Sequence, residues 1–381
     1  MSEEQASVVL DEERQRKAKA YSRLQRRLLL VDLALGGLYL VLWLATGWHV
    51  ALREWLSDLT SSPPIVLLLY GVVFFVPYII LSLPLSYYSG YVLPHRYEQS
   101  NQTLPGWAGD QVKSLALSGG LGILLIEIVY GLLRAAPDLW WLYAAGVMLF
   151  FTVVLSTAAP VLIAPLFFKF TPLDDEVLTQ RLVNLAERAG IEVKGVYRFD
   201  MSTRTKSANA AVMGLGATRR IVLGDTLLDA FAPDEIETIL AHELAHIVHR
   251  DMLLLILVNS ALTLLSLWAA SFVLRWGIGA FRLAGMADPA GLPLLGLTVA
   301  GIGLVAMPLG NAFSRWRESM ADSFALNLTG KPCSFANAMI RLANQNLAEY
   351  DPERWEVILL YSHPPLVERI DKARAFAAGK A

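Results

Sequence analysis

His242, Glu243 and His246 stand in the order H-E-x-x-H within "ILAHELAHIVHRD", a spacing at which side chains can do hydrolytic chemistry. On a helix, residues four apart share a face, so both imidazoles can reach one zinc ion while the glutamate between them holds a water beside it. The ion acidifies the water and polarises a carbonyl, and the glutamate carries the proton to a leaving nitrogen. A five-residue match also arises by chance, so its context matters. Pro233, Asp234 and Glu235 mark a helix start, and Ile236, Ile239, Leu240, Leu244, Ala245 and Val248 supply an apolar body.

A hydrolytic zinc site needs a third protein ligand and an open position. His249 faces the same way, but at 1.5 Å per residue it lies about 10.5 Å from His242 along the axis. That is too far to share an ion, and His249 suits a helix end. Better candidates lie in "NAFSRWRESMADSFALNL", where Glu318 and Asp322 are four apart on an expected helix. One carboxylate can bind zinc while the other holds the free N–H of a ligand histidine. A solvated acidic face has the same spacing.

These residues need elements to hold them. "VLTQRLVNLAERAG" has apolar residues at helical intervals and ends on a glycine. Strand-like runs follow at 193–199, 209–214 and 220–224, the last two joined by "LGATR" as a hairpin turn. A small sheet packed with helices is expected between residues 170 and 251.

The rest of the chain reads as membrane. It has 381 residues, 55% hydrophobic and 17% charged, with a mean hydropathy of +0.46. Six stretches are long and apolar enough to span a bilayer: 28–46, 65–92, 115–133, 139–163, 252–274 and 292–309. Pro77, Pro84 and Pro160 predict kinks. The fold class expected is mainly α: a polytopic membrane protein of about six spans with a small cytoplasmic α+β metalloprotease domain carrying a short β-sheet. The expected organisation is a basic tail at 1–27, four spans within 28–169, a catalytic segment at 170–251, two further spans within 252–310 and a second catalytic segment at 311–381.

Arg14, Arg16, Lys17, Lys19, Arg23, Arg26 and Arg27 precede the first span, which predicts a cytoplasmic N-terminus. An even number of spans then puts the C-terminus and the H-E-x-x-H segment on that side too. A single cysteine, Cys333, excludes an intrachain disulfide and a cysteine-based zinc site. The net charge of −2 gives no sign of a nucleic-acid partner. Glu127 and Asn259 are costly in hydrocarbon and suit a cavity wall, whereas Asp32 and Asn311 lie near span ends.

"AHELAHIVHRD", "SRWRESMADSFA" and "YSHPPLVERI", in this order with two spans between the first two, resemble the integral-membrane zinc metalloproteases typified by the type I CAAX prenyl endopeptidase. "YEQSNQTLPGWAGDQVK", "IAPLFFKFTPL", "SANAAVMG" with "RIVLGDTLL", and "NQNLAEYDPERW" extend the likeness over about residues 97–370. The resemblance implies a gluzincin site: one Zn2+ per chain held by His242, His246 and Glu318, Glu243 as general base, and Asp322 as partner of a ligand histidine. It places Asn209 and Ala210 on an edge strand where a substrate adds as a further strand, and His363 and Arg369 near the metal, where donors can stabilise an oxyanion. For His363, a plain helix start at Pro364 and Pro365 also fits. The family's spans surround a water-filled chamber, which would explain hydrolytic residues running directly into lipid-type sequence.

The expected function is a membrane-embedded zinc metalloendopeptidase at the cytoplasmic face, acting in the bilayer on peptide or protein substrates with or without an attached lipid. C-terminal processing of lipidated peptides and quality control of misfolded membrane proteins are the two enzymatic readings. A metal-binding membrane scaffold or transporter is the non-enzymatic one.

Overall fold

The computed structural model describes residues 8–214 and 216–379. The first seven residues of the basic tail, Leu215 of the hairpin turn and the last two residues lie outside the described residues. Six helices carry stretches long and apolar enough to cross a membrane. They are Glu12–Thr46, Pro63–Tyr87, Leu104–Ala135, Trp140–Ala158, Asp251–Ala280 and Leu292–Thr329. The expectation of a polytopic, mainly α protein holds.

Several helices reach further than their apolar stretches. The first starts at Glu12 because Asp11 caps it, its carboxylate accepting from the N–H groups of Glu13 and Arg14. Residues 12–27, read as a tail, therefore continue the first span as helix. Its 35 residues rise about 52 Å, against about 30 Å of hydrocarbon. The sixth helix, with 38 residues, overshoots similarly, and its final turns carry Arg317, Glu318 and Asp322 out of the apolar layer. Wider turns at Tyr88–Val92 and Ala159–Ile163 follow Pro84 and enclose Pro160, where a missing N–H interrupts the helical ladder.

Each span touches the next in chain order, and the sixth returns to the first, where Leu40 packs on Gly296. The spans thus close a ring. A solid bundle would bury the inward face of every helix. Here the most apolar windows are only 0 to 22% buried, so the middle of the ring is hollow. One end is filled: Trp43, Tyr70, Tyr130, Trp140, Leu274 and Leu294, from all six spans, join the helix Trp48–Leu59 and the connection through Leu283 and Ala290 in one core. His49 and Asp288 are buried there with partners. The two ring nitrogens of His49 lie 2.8 and 3.1 Å from the carbonyls of Trp43 and Phe281, and Arg53 donates to Asp288 at 2.7 Å.

A second core lies at the other end of the ring, built from Leu182, Ile221, Leu223, Leu240, Phe335 and Ile370 among others. Its sheet has the order β1-β2-β4-β3, with β1 Phe170–Pro172, β2 Val196–Phe199, β3 Ala210–Met213 and β4 Arg220–Gly224. β2 and β4 are parallel, while β1 and β3 flank them antiparallel. The three expected strands form; β1 is additional. The helix Glu176–Arg188 ends as its sequence suggests, with Gly190 in the left-handed region at φ 73°.

Candidate metal centre

The helix Pro233–Val248 carries the H-E-x-x-H motif. It begins with Pro233 in its first turn, and the N–H of Ala232 donates to Glu235 at 2.8 Å. Arg181 of the helix Glu176–Arg188 and Lys331, which precedes the helix Pro332–Gln345, both bind Asp234 and Glu237, fixing the helix in the catalytic half. The sequence suggests one helix passing from the motif into lipid, but the structure breaks it. Arg250 adopts φ 55°, and the fifth span starts at Asp251. This corner lets Asp251 face back toward the motif.

His242, His246 and Glu318 come together, their ligand atoms all within 4.8 Å of one another. His242 Nε2 lies 3.1 Å from Glu318 Oε2, and His246 Nε2 lies 3.6 Å from Glu318 Oε1. The opposite nitrogens are held by carboxylates: His242 Nδ1 at 2.9 Å from Asp322, and His246 Nδ1 at 2.7 Å from Asp251. Each aspartate is gripped by a buried arginine in turn. Arg369 donates to both oxygens of Asp322 at 2.6 and 2.9 Å, and Arg317 donates through Nε to Asp251 at 2.6 Å. Two imidazoles with Nδ1 anchored and Nε2 converging on a carboxylate are a donor set suited to Zn2+.

The electrostatics follow from this crowding. Burial would lower the pKa of His242, but Asp322 and Glu318 on its two nitrogens outweigh it and push it up to about 9. Burial raises that of Glu243, against the pull of the two histidines. His363 lies 3.4 Å from Glu318 with a side chain 58% exposed; burial and the neighbouring cations hold it below the usual imidazole range. Arg369 is buried, its guanidinium turned to Asp322 and within 3.3 Å of His242 Nδ1.

His249, set aside on spacing, packs on Phe324 and lies outside the cluster. Asn209 leads into β3, an edge strand paired on one side with β4. The N–H of Gly224 donates to Asn209 O at 2.9 Å. Antiparallel alternation therefore points the backbone groups of Asn209, Ala211 and Met213 toward β4, and those of Ala210 and Val212 toward the free edge. Beside the cluster opens a cavity of about 760 Å³ lined by Tyr21, Ser207, His363 and Arg369 among others.

Sequence reasoning missed Asp251 and Arg317. Asp251 reads as an ordinary acidic first-turn residue of the fifth span. Its one distinguishing signal is its place five residues beyond His246 at the polar-to-apolar junction.

Comparison with known proteins agrees with this geometry. Residues 3–169 match the profile described as CAAX prenyl protease N-terminal, five membrane helices, and residues 172–377 match that of peptidase family M48. The uncharacterized metalloprotease YhfN of Bacillus subtilis is 32% identical, over 93% of this chain and 84% of its own length. The CAAX prenyl protease 1 homolog of Arabidopsis thaliana is 33% identical, over 76% and 69%. The crystal structure of S. mikatae Ste24p superposes with a TM-score of 0.85 at 25% identity, covering 98% of this chain and 92% of that one. One peptidase profile spans more than half of the residues, and the chain accordingly belongs to peptidase family M48, as a metalloprotease built on a multi-pass membrane fold.

Proposed function

We propose that this chain is a zinc-dependent endopeptidase that cuts peptide bonds of membrane-associated substrates on the cytoplasmic side. The convergence of His242, His246 and Glu318, with a buried aspartate behind each histidine, carries this reading. When bound there, zinc supplies Lewis acidity at the scissile carbonyl and acidifies a water. Glu243 takes the proton of the attacking water and returns it to the leaving nitrogen; its raised pKa brings it closer to neutrality, where it serves in both directions. His363, exposed beside Glu318, donates to the developing oxyanion. Arg369 acts through Asp322, which fixes the tautomer of His242. The substrate backbone adds to β3 at Ala210 and Val212, with Asn209 at the start of that edge.

Two features support the orientation. The N-terminal part of the first helix is rich in Lys and Arg. It also packs on the catalytic half, where Gln15 donates to Ala348 O and accepts from Tyr350 N. The N-terminal helix, the metal cluster and the C-terminal helix therefore share one side, and the basic residues support the cytoplasmic assignment of that side.

The relatives named CAAX prenyl proteases support lipidated C-terminal peptides as the substrate class. The test is turnover by the purified protein of matched fluorogenic peptides with and without a prenyl group. Preference for the prenylated peptide supports C-terminal processing. Equal cleavage of both points to broader membrane proteolysis, and cleavage of neither with zinc bound favours a scaffold.

A further inference from the structure

The residues that lead into β3 alternate as the strand itself does. Asn209 O accepts from Gly224 N at 2.9 Å, and Ser207 O accepts from Thr226 Oγ1 at 2.7 Å, so both carbonyls face β4 and the turn that follows it. Lys206 and Ala208 face the other way, toward the side on which Ala210 and Val212 form the free edge. That side is already occupied before the strand begins. The side-chain amide of Asn346 pairs with Ala208 as a neighbouring strand would, Oδ1 accepting from the Ala208 N–H at 2.8 Å and Nδ2 donating to the Ala208 carbonyl at 3.2 Å. One position earlier on the same side, Gln345 Nε2 donates to Lys206 O at 2.9 Å.

Both amides come from the end of the helix Pro332–Gln345. The N–H of Asn346 still donates to Leu342 O at 2.9 Å. Leu347, next in the chain, is 3% exposed and takes the left-handed conformation at φ 47°, which is unfavourable for a leucine and persists where the surroundings enforce it. The helix end and this buried turn together hold the Asn346 amide against Ala208. Asn346, Ser207 and Leu347 also line the cavity that reaches His363 and Arg369, so the pairing lies on the wall of the space beside the metal cluster.

We propose that Asn346 is a specificity-determining residue that closes the substrate-binding edge at Ala208. A side-chain amide carries the donor and acceptor of a peptide group, and Asn346 thereby fills the pairing place that a substrate residue would take. The edge left open is β3 alone, four residues long, with outward pairing at Ala210 and Val212. A substrate of any length is gripped over this short stretch, and the chain beyond it leaves the strand for the cavity. The inference rests on the reading that substrate adds to β3, and deepens it by setting how much of the substrate is held.

The test is a ladder of fluorogenic peptides around one cleavage site, lengthened residue by residue from either end and cut by the full-length protein in detergent. In the parent, KM falls as residues are added and then levels off at one end, where the chain comes up against Ala208. In Asn346→Ala that place is vacant, and the limit moves outward by about two residues, the interval between positions facing one edge, with KM about tenfold lower for the longer peptides than for those ending at the parental limit. Asn346→Asp keeps an acceptor for the Ala208 N–H and keeps the place filled, so the parental limit stays. A purely structural role would lower Tm, or kcat for every peptide alike, without moving the limit. A limit that stays put in Asn346→Ala, or moves equally in both variants, overturns the proposal. Val212→Pro separates the stop from the reading beneath it. If this change raises KM while Asn346→Ala leaves the limit fixed, strand addition stands and the stop falls; if it leaves KM unchanged for every peptide, strand addition fails and the stop with it.

Discussion

The Nδ1 atom of His246 lies 2.7 Å from Oδ2 of Asp251, the first residue of the fifth membrane span. An imidazole of the candidate metal centre is thus oriented by a group at the start of the fifth apolar helix. Asp251 is 3% exposed and held by Arg317 from the sixth helix. Asp251→Ala should weaken zinc affinity by about 10- to 100-fold, measured by competition with a chelator. Glu318→Ala, which removes a ligand, should lose the metal outright at the same chelator concentration. Equal zinc retention by the two variants would contradict the assigned roles.

Glu243→Ala tests the base. Zinc content and Tm should stay near those of the parent, while kcat falls by about 100- to 10,000-fold. Turnover that survives intact would move the base to another residue.

Zinc uptake should depend on pH with a definite sign. His242 in the metal-free protein is raised from 6.5 to about 9, so at neutral pH it holds a proton that zinc must displace. Affinity should rise with pH, at most about tenfold per unit, and level off near 9. Calorimetry in buffers of different ionisation enthalpy should register the released proton. Linkage gives the companion effect on stability. The contribution of protonated His242 to the metal-free fold is complete below about 6.5 and is lost as pH climbs to about 9. Thermal scans of metal-free and zinc-loaded protein should diverge across that window.

The free edge of β3 can be probed by backbone chemistry alone. The N–H of Val212 points away from β4, so Val212→Pro removes an outward donor and spares the β3–β4 ladder. KM for peptides should rise about tenfold while zinc content holds. A collapse of zinc content would show that the strand does more than receive substrate.

How much of this was legible in the sequence depended on whether the signal was local. The spacing of His242, Glu243 and His246 and the pair Glu318 and Asp322 are helical periodicities, visible without a structure and brought together in it. The hairpin from Asn209 to Gly224 declared itself by its strand-forming runs and central glycines. β1 did not, because three residues ending in Pro172 carry little pattern and depend on pairing with β2. Asp251 was hidden for another reason. It acquires its place from the left-handed residue just before it, Arg250, a conformation that tertiary contacts impose on a side chain that does not advertise it. Residues 12–27 were read by charge, whereas the Asp11 cap and packing on the catalytic half make them helix.

The far-end core has a consequence for the cell rather than for the chemistry. A hollow ring open at both ends would be a pore, and a pore in an energised membrane dissipates the gradients that drive transport and ATP synthesis. Trp140, Tyr70 and Tyr130, packed almost without exposure among the ends of all six spans, make the hollow a blind one. Ions entering from the catalytic side would meet a floor of packed aromatic and aliphatic side chains, so hydrolysis within the bilayer need not cost the membrane its insulation.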